Sequence, residues 1–145
     1  MIQSCGQLSH FEDSDMRLSH RELSERVLDK SVHLPTGDRV LVEQLLRYGF
    51  SIREIARLTE KSPSSVSRRM KSVMKRMEDP MFEFVVNRSD FVPRDSRVTG
   101  RLVYVEGFSL RESAKKLGVS LHEVRKRIAK VKMAESTFRK MRELN

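Results

Sequence analysis

Apolar residues recur along much of this chain at intervals of three and four, the spacing that gathers them on one face of an α-helix. Val66, Met70, Val73 and Met77 follow it, and so do Val124, Ile128 and Val131. Ile52, Ile55 and Ala56 predict a shorter helix over Ser51–Thr59, and Leu110, Ala114 and Leu117, followed by Val119, predict its counterpart. The local signals between Gly107 and Ile128 fit together. Ser109 caps one helix, and Glu112 three residues on closes a capping box. Ala114 is small, as close crossing of two helices requires. Gly118 permits the left-handed backbone that ends that helix. Ser120 and Glu123 make a second capping box for the next one. This is a helix–tight turn–helix pattern.

The same unit occurs earlier without a gap, at an offset of 58 residues. Glycine, phenylalanine, serine, arginine, glutamate and alanine repeat at Gly49/Gly107, Phe50/Phe108, Ser51/Ser109, Arg53/Arg111, Glu54/Glu112 and Ala56/Ala114. Ser62/Ser120, Val66/Val124, Arg69/Arg127 and Val73/Val131 match further on, and Pro35/Pro93, Arg39/Arg97 and Val40/Val98 upstream. Two copies of one module, each roughly 42 residues, are near the lower size limit for independent folding, so contacts between them are expected. The expected fold is all-α: two tandem helix-turn-helix modules joined by a short apolar connector.

Read in order, residues 1–18 are polar with little periodicity and are expected to be flexible. The first module, residues 19–78, opens with a helix capped by Ser19 and Glu22 and running to about Val32, with Leu23, Val27 and Val32 on its apolar edge. Leu34-Pro35 ends it. Val40, Leu41, Leu45 and Leu46 then suggest an inward face, Ile55 and Leu58 follow, and Ser62-Pro63 starts the last helix of the module. The connector, residues 79–91, begins with the cap-then-proline pair Asp79-Pro80. Its Met81, Phe82, Val85 and Val86 favour a short helix packed between the modules. The second module, residues 92–145, draws on Val98, Leu102, Val103 and Val105 for its first helix, although Gly100 weakens that helix by about 1 kcal/mol relative to alanine. It has Ser113 and Lys116 where the first module has Ile55 and Leu58, and relies instead on Leu117 and Val119. A basic tail with Phe138, Met141 and Leu144 continues the last helix, to cover a core edge or to mediate a homodimer.

Charge sharpens this picture. The net charge is +9, distributed as −2 over residues 1–33, +5 over 34–78, −1 over 79–106 and +7 over 107–145. The positive charge sits on the two modules, and nucleic acid is the partner such a distribution fits. Cys5 is the single cysteine, so no internal disulfide forms and a reducing, cytoplasmic setting is expected. No run of 18 apolar residues and no apolar leader core occurs, so neither a membrane span nor a secretory signal is expected. Cys5, His10 and His20 lack the spacing of metal ligands, and neither a metal nor another cofactor is implied. No nucleophile–base set, glycine-rich phosphate loop or isolated carboxylate pair suggests an enzyme.

In a helix-turn-helix the second helix lies in the major groove and presents its first two turns to base edges. Counted from the caps, the outward positions are Pro63, Ser64, Ser67 and Arg68 in the first module and Leu121, His122, Arg125 and Lys126 in the second. Arg68 and Arg125 are the candidates for guanine, because a guanidinium reaches O6 and N7 together. Leu121 or Pro63 suits a thymine methyl. Arg69, Lys71, Lys75, Arg127 and Lys130 are placed for phosphates, as are the helix starts at Ser51 and Ser109.

Leu34-Pro35, Arg39-Val40, the Gly49–Ala56 run, Ser62, Val66 and Arg69 resemble region 4 of the bacterial sigma factors. So do Val92-Pro93, Arg97-Val98, the Gly107–Ala114 run, Leu117–Ser120 and Val124–Ile128. The resemblance covers about residues 34–77 and 92–133 and implies promoter reading by the last helix of each module, with contact to RNA polymerase. The chain departs from that family in carrying two copies in tandem, in having no room for a promoter-melting domain, and in placing Glu60 where a turn glycine is usual. A double-stranded-DNA-binding transcription regulator built from such modules is the expected function. A protein that docks on RNA polymerase without reading DNA, and a DNA-targeting accessory factor of a recombination system, are the alternatives.

Overall fold

The computed structural model describes residues 20–145; the segment expected to be flexible and the Ser19 cap lie outside the described residues. Within them the fold is all-α. A leading helix, α1 (residues 20–31), precedes α2 (Thr36–Leu46), α3 (Ile52–Leu58) and α4 (Pro63–Glu78). After α5 (Pro80–Asn87) come α6 (Arg94–Gly100), a wider π-helical turn over Arg101–Val105, α7 (Leu110–Leu117) and α8 (Leu121–Glu143). The boundaries fall at the residues that local chemistry marks. Pro35 and Pro93 stand immediately before α2 and α6. Ser51, Ser62, Asp79, Ser109 and Ser120 each accept a backbone N–H at the start of the following helix, a cap that typically contributes about 1 kcal/mol. Among the described residues no helix is long and apolar enough to cross a membrane.

The helices α2–α4 form one three-helix unit, and α6–α8 with the π turn form the second. One apolar core joins them. Val42, Val73 and Met77 enter it from the first unit, Phe82, Phe84 and Val85 from α5, and Val105 and Val131 from the second. Val27 of α1 and Leu34 close one end. Each unit keeps a smaller cluster of its own: Leu41, Ile55, Ala56 and Val66 in the first, Ala114, Val124 and Ile128 in the second. The connector is therefore a wall of the shared core. Phe82 is fully buried, and a side chain of that kind contributes roughly 1.5–3 kcal/mol by leaving water.

Several expected inward positions are turned outward. In α2 the buried pair is Leu41 and Val42, and Val40 is exposed. In α1 the buried apolar residue is Val27, supported by Leu28, while Leu23, and Val32 just past the helix end, face solvent. Leu58 is 65% exposed, because Ile55 and Ala56 already fill the inner side of the two-turn helix α3. Val98 is exposed, and small polar residues take its place inside. Ser96 and Thr99 are buried, and the Thr99 hydroxyl donates to the Asp95 carbonyl at 2.7 Å.

Gly100 explains that choice. A Cβ built there would lie 3.3 Å from Val131 Cγ2 and 3.5 Å from Val85 Cγ2. The residue that weakens the isolated helix is the one that lets α6 lie close against α8 and α5. Beyond it, the Glu106 N–H reaches back five residues to the Arg101 carbonyl at 3.0 Å, and Val105 is drawn fully inward. The tail continues α8 without a break to Glu143. Its Phe138 packs beside Phe84, ring centroids 6.0 Å apart, beneath the Arg88 guanidinium at 5.5 Å. That half of α8 covers a core edge, with Met141 and Leu144 left exposed.

Candidate nucleic-acid interface

The two helix-turn-helix units share their backbone hydrogen bonds residue for residue. Lys61 N–H donates to the Ala56 carbonyl at 2.9 Å, and Val119 N–H to that of Ala114 at 3.1 Å. The turn residue before each donor is left-handed in both, Glu60 at φ 56° and Gly118 at φ 66°. Glycine adopts this conformation freely and a glutamate does not, so the first module holds the same turn under local strain. Ser62 then accepts from Ser65 N–H at 3.2 Å, and Ser120 from Glu123 N–H at 3.1 Å. Upstream, Ser109 and Glu112 form the reciprocal capping box, at 3.1 and 2.9 Å.

The caps orient α4 and α8 in the same way. Val66, Val73 and Met77 point inward on α4, and Val124, Ile128 and Val131 on α8. The opposite faces carry Ser64, Arg68, Lys71 and Lys75 on the first, and His122, Arg125, Lys126 and Lys130 on the second, all exposed. None of Arg68, Lys71, Lys75, Arg125, Lys126 and Lys130 pairs with a carboxylate among the described residues. Pro63 is exposed beside Ser64, and Ser67 and Leu121 are partly covered. Each helix thus presents a cationic strip that begins in its second turn, at Arg68 and Arg125.

Two residues expected to face phosphate are already engaged. The Arg69 guanidinium lies 3.0 Å from Asp38 Oδ1, across from α4 to α2. Arg127 donates to Glu123 at 3.1 Å, one turn back on its own helix, and only 16% of its side chain is exposed. That pairing also leaves the expected Ser120/Glu123 capping box half made, because the Glu123 carboxylate faces Arg127 and not the cap. The hydrogen bond from Arg127 holds the Glu123 carboxyl below its ordinary range, helped by the charges of Arg127, Lys126 and Lys130. The two arginines are counterparts in the repeat, but their carboxylates differ. Asp38 is replaced by Ser96 in the second module, and Glu123 stands where the first has Ser65.

A residue outside the expected set ties the units together. Arg76, near the end of α4, donates to Asp38 Oδ2 at 2.7 Å and to the Val105 carbonyl at 2.6 Å. Its guanidinium lies over Gly107, where a Cβ would come within 2.6 Å of Arg76 Cζ. Asp38 and Arg76 face Ser96 and Ala134 at the same offset, so the second module carries no counterpart of this contact. A second departure is Lys116, counterpart of Leu58, whose ammonium sits 4.3 Å above the Phe108 ring. Among the described residues no group of three or more His, Cys, Asp or Glu is placed to hold a metal ion. Compared with protein-family models, with curated proteins and with solved structures, the chain matches none.

Proposed function

We propose that this protein is a sequence-specific, double-stranded-DNA-binding transcription regulator of the cytoplasm that reads its site with α4 and α8, in the manner of sigma region 4. One observation carries this reading. Two serine-capped helices with the same turn geometry each keep an exposed strip of Arg and Lys that pairs with no carboxylate among the described residues, and the chain's positive charge is concentrated on them. A solvated face needs no such duplication of cap and turn, and Arg68 and Lys126 occupy matching positions in the two strips. Arg68 and Arg125 take guanine edges, and Lys71, Lys75, Lys126 and Lys130 take phosphates.

Selection of bound sequences from a random duplex pool, followed by anisotropy titration at several salt concentrations, tests the proposal. Roughly 6–10 phosphate contacts predict an affinity loss of about 10³–10⁵-fold between 50 and 200 mM salt. An unenriched pool or a flat salt response would overturn it. Docking on RNA polymerase is a second reading, favoured by Tyr48 and Leu58, which are exposed on the first module. The positions matching them in the second carry Glu106 and Lys116. Pull-down of polymerase in the absence of DNA distinguishes that reading.

A further inference from the structure

Outside both reader helices, a groove of about 320 Å³ runs between α5 and α6. Its apolar side is Val85, Val86 and Val98, and its polar side is Ser89, Arg94, Arg97 and Arg101. Among the described residues no carboxylate lines it. Among the described residues none of the three guanidiniums forms an ion pair, and Arg101 makes only a long 3.5 Å contact to the His33 carbonyl.

The first module shows what this helix face looks like without such a cluster. The counterparts of Arg94, Arg97 and Arg101 are Thr36, Arg39 and Glu43, and Arg39 donates to Glu43 at 2.9 Å. An i,i+4 pair of opposite charge supports a helix, and a like-charged pair at that spacing works against it. The second module has exchanged the supporting carboxylate for an arginine and added another one turn earlier. Three planar guanidiniums on one wall match the oxygens of a phosphate, which they can grip bidentately.

We propose that Arg94, Arg97 and Arg101 form a phosphate-binding site, which takes a phosphomonoester or diphosphate group against the valines of α5 and α6. The phosphate comes either from a free phosphorylated compound or from a DNA backbone, and the site does not depend on how α4 and α8 are used.

Inorganic pyrophosphate is the probe, titrated calorimetrically into the full chain at constant ionic strength. Arg101→Glu introduces the carboxylate the first module carries at this position, so the helix is expected to stay folded, and circular dichroism checks that. Lys132→Glu makes the same charge change at an exposed site that does not line the groove. Saturable one-site binding, weakened at least tenfold by Arg101→Glu and less than twofold by Lys132→Glu, supports the site. Equal losses in the two variants, or no saturable binding, overturn it. Duplex affinity assigns the source. If Arg101→Glu spares it and pyrophosphate does not compete with duplex, the ligand is a free phosphorylated compound. If both fall together and the two ligands compete, the groove holds a DNA phosphate.

Discussion

Arg76 Nη1 donates a 2.6 Å hydrogen bond to the carbonyl of Val105, joining the last turns of α4 to the π turn of the other module. Its Nη2 holds Asp38 at 2.7 Å, and the side chain is only 16% exposed. This contact and the shared core fix how the two units sit. Arg76→Ala is expected to lower stability by about 2–3 kcal/mol, the scale of lost hydrogen bonds to a charged group. Asp38→Ala is also expected to destabilise, because it leaves Arg76 with the Val105 carbonyl alone, whereas the exposed Arg69 stays solvated. Urea denaturation followed by circular dichroism measures both; a change under about 0.5 kcal/mol for Arg76→Ala, the scale of an ordinary surface substitution, would contradict the clamp.

Glu60 and Gly118 occupy one left-handed turn position in two copies. Glu60→Gly is expected to stabilise the protein by about 0.5–1 kcal/mol, strain relief being partly offset by the freer unfolded chain. Gly118→Ala is expected to cost about 1 kcal/mol, from backbone conformation alone, since nothing lies within 4 Å of a Cβ there. Opposite signs in thermal melts are the outcome to look for.

Gly100 should not behave as an ordinary helix glycine. Gly100→Ala is expected to fall short of the roughly 1 kcal/mol gain that helix propensity alone would give, because its Cβ would press on Val131. Gly100→Val is expected to lose about 1–3 kcal/mol through overpacking against Val131 and Val85. A stabilised Gly100→Val protein would refute the close approach of α6 and α8.

Under the DNA-binding proposal, Arg125→Ala relaxes base preference at one position, at a cost of about 1–3 kcal/mol there. Arg127→Ala leaves the salt dependence nearly unchanged, since its guanidinium is bonded to Glu123. Footprints of Arg68→Ala and Arg125→Ala on the selected site should each lose protection over a different half. Because the units share a core, the halves keep a fixed spacing, expected near one helical turn of about 34 Å. Inserting half a turn, about five base pairs, between them should abolish tight binding. Protection confined to one groove would leave a single reader.

Tyr104 gives a pH test of the central packing. Burial pushes its phenol above the ordinary value of 10.0, and the negative charge of Asp79 adds to the effect. The neutral form is favoured in the folded chain. Its contribution to stability is therefore complete below the unfolded value and is lost as pH rises through the folded one. The chain has two tyrosines, so in Tyr48→Phe the phenolate absorbance reports Tyr104 alone. Its titration should begin above that of the same variant in urea, and Met77→Ala, by opening the core around it, should bring the two curves closer.

The sequence by itself determined the elements and their repetition. Serine caps, Pro35, Pro63, Pro93 and Gly118 act within a few residues of themselves, so their meaning survives without a fold. The exposed strips on α4 and α8 were legible for the same reason: cap and helical period together fix which way Arg68 or Arg125 faces. What crosses between helices was decided by the tertiary structure. Periodicity cannot tell Val40 from Val42, or give Leu58 an inside, until neighbouring helices choose the buried arc. Nor can it show that Arg69 and Arg76 meet one aspartate more than thirty residues earlier, or that Gly100 is a contact. Those outcomes depend on interhelical distance and on which charges desolvation forces to pair, and only the packing of helix against helix sets them.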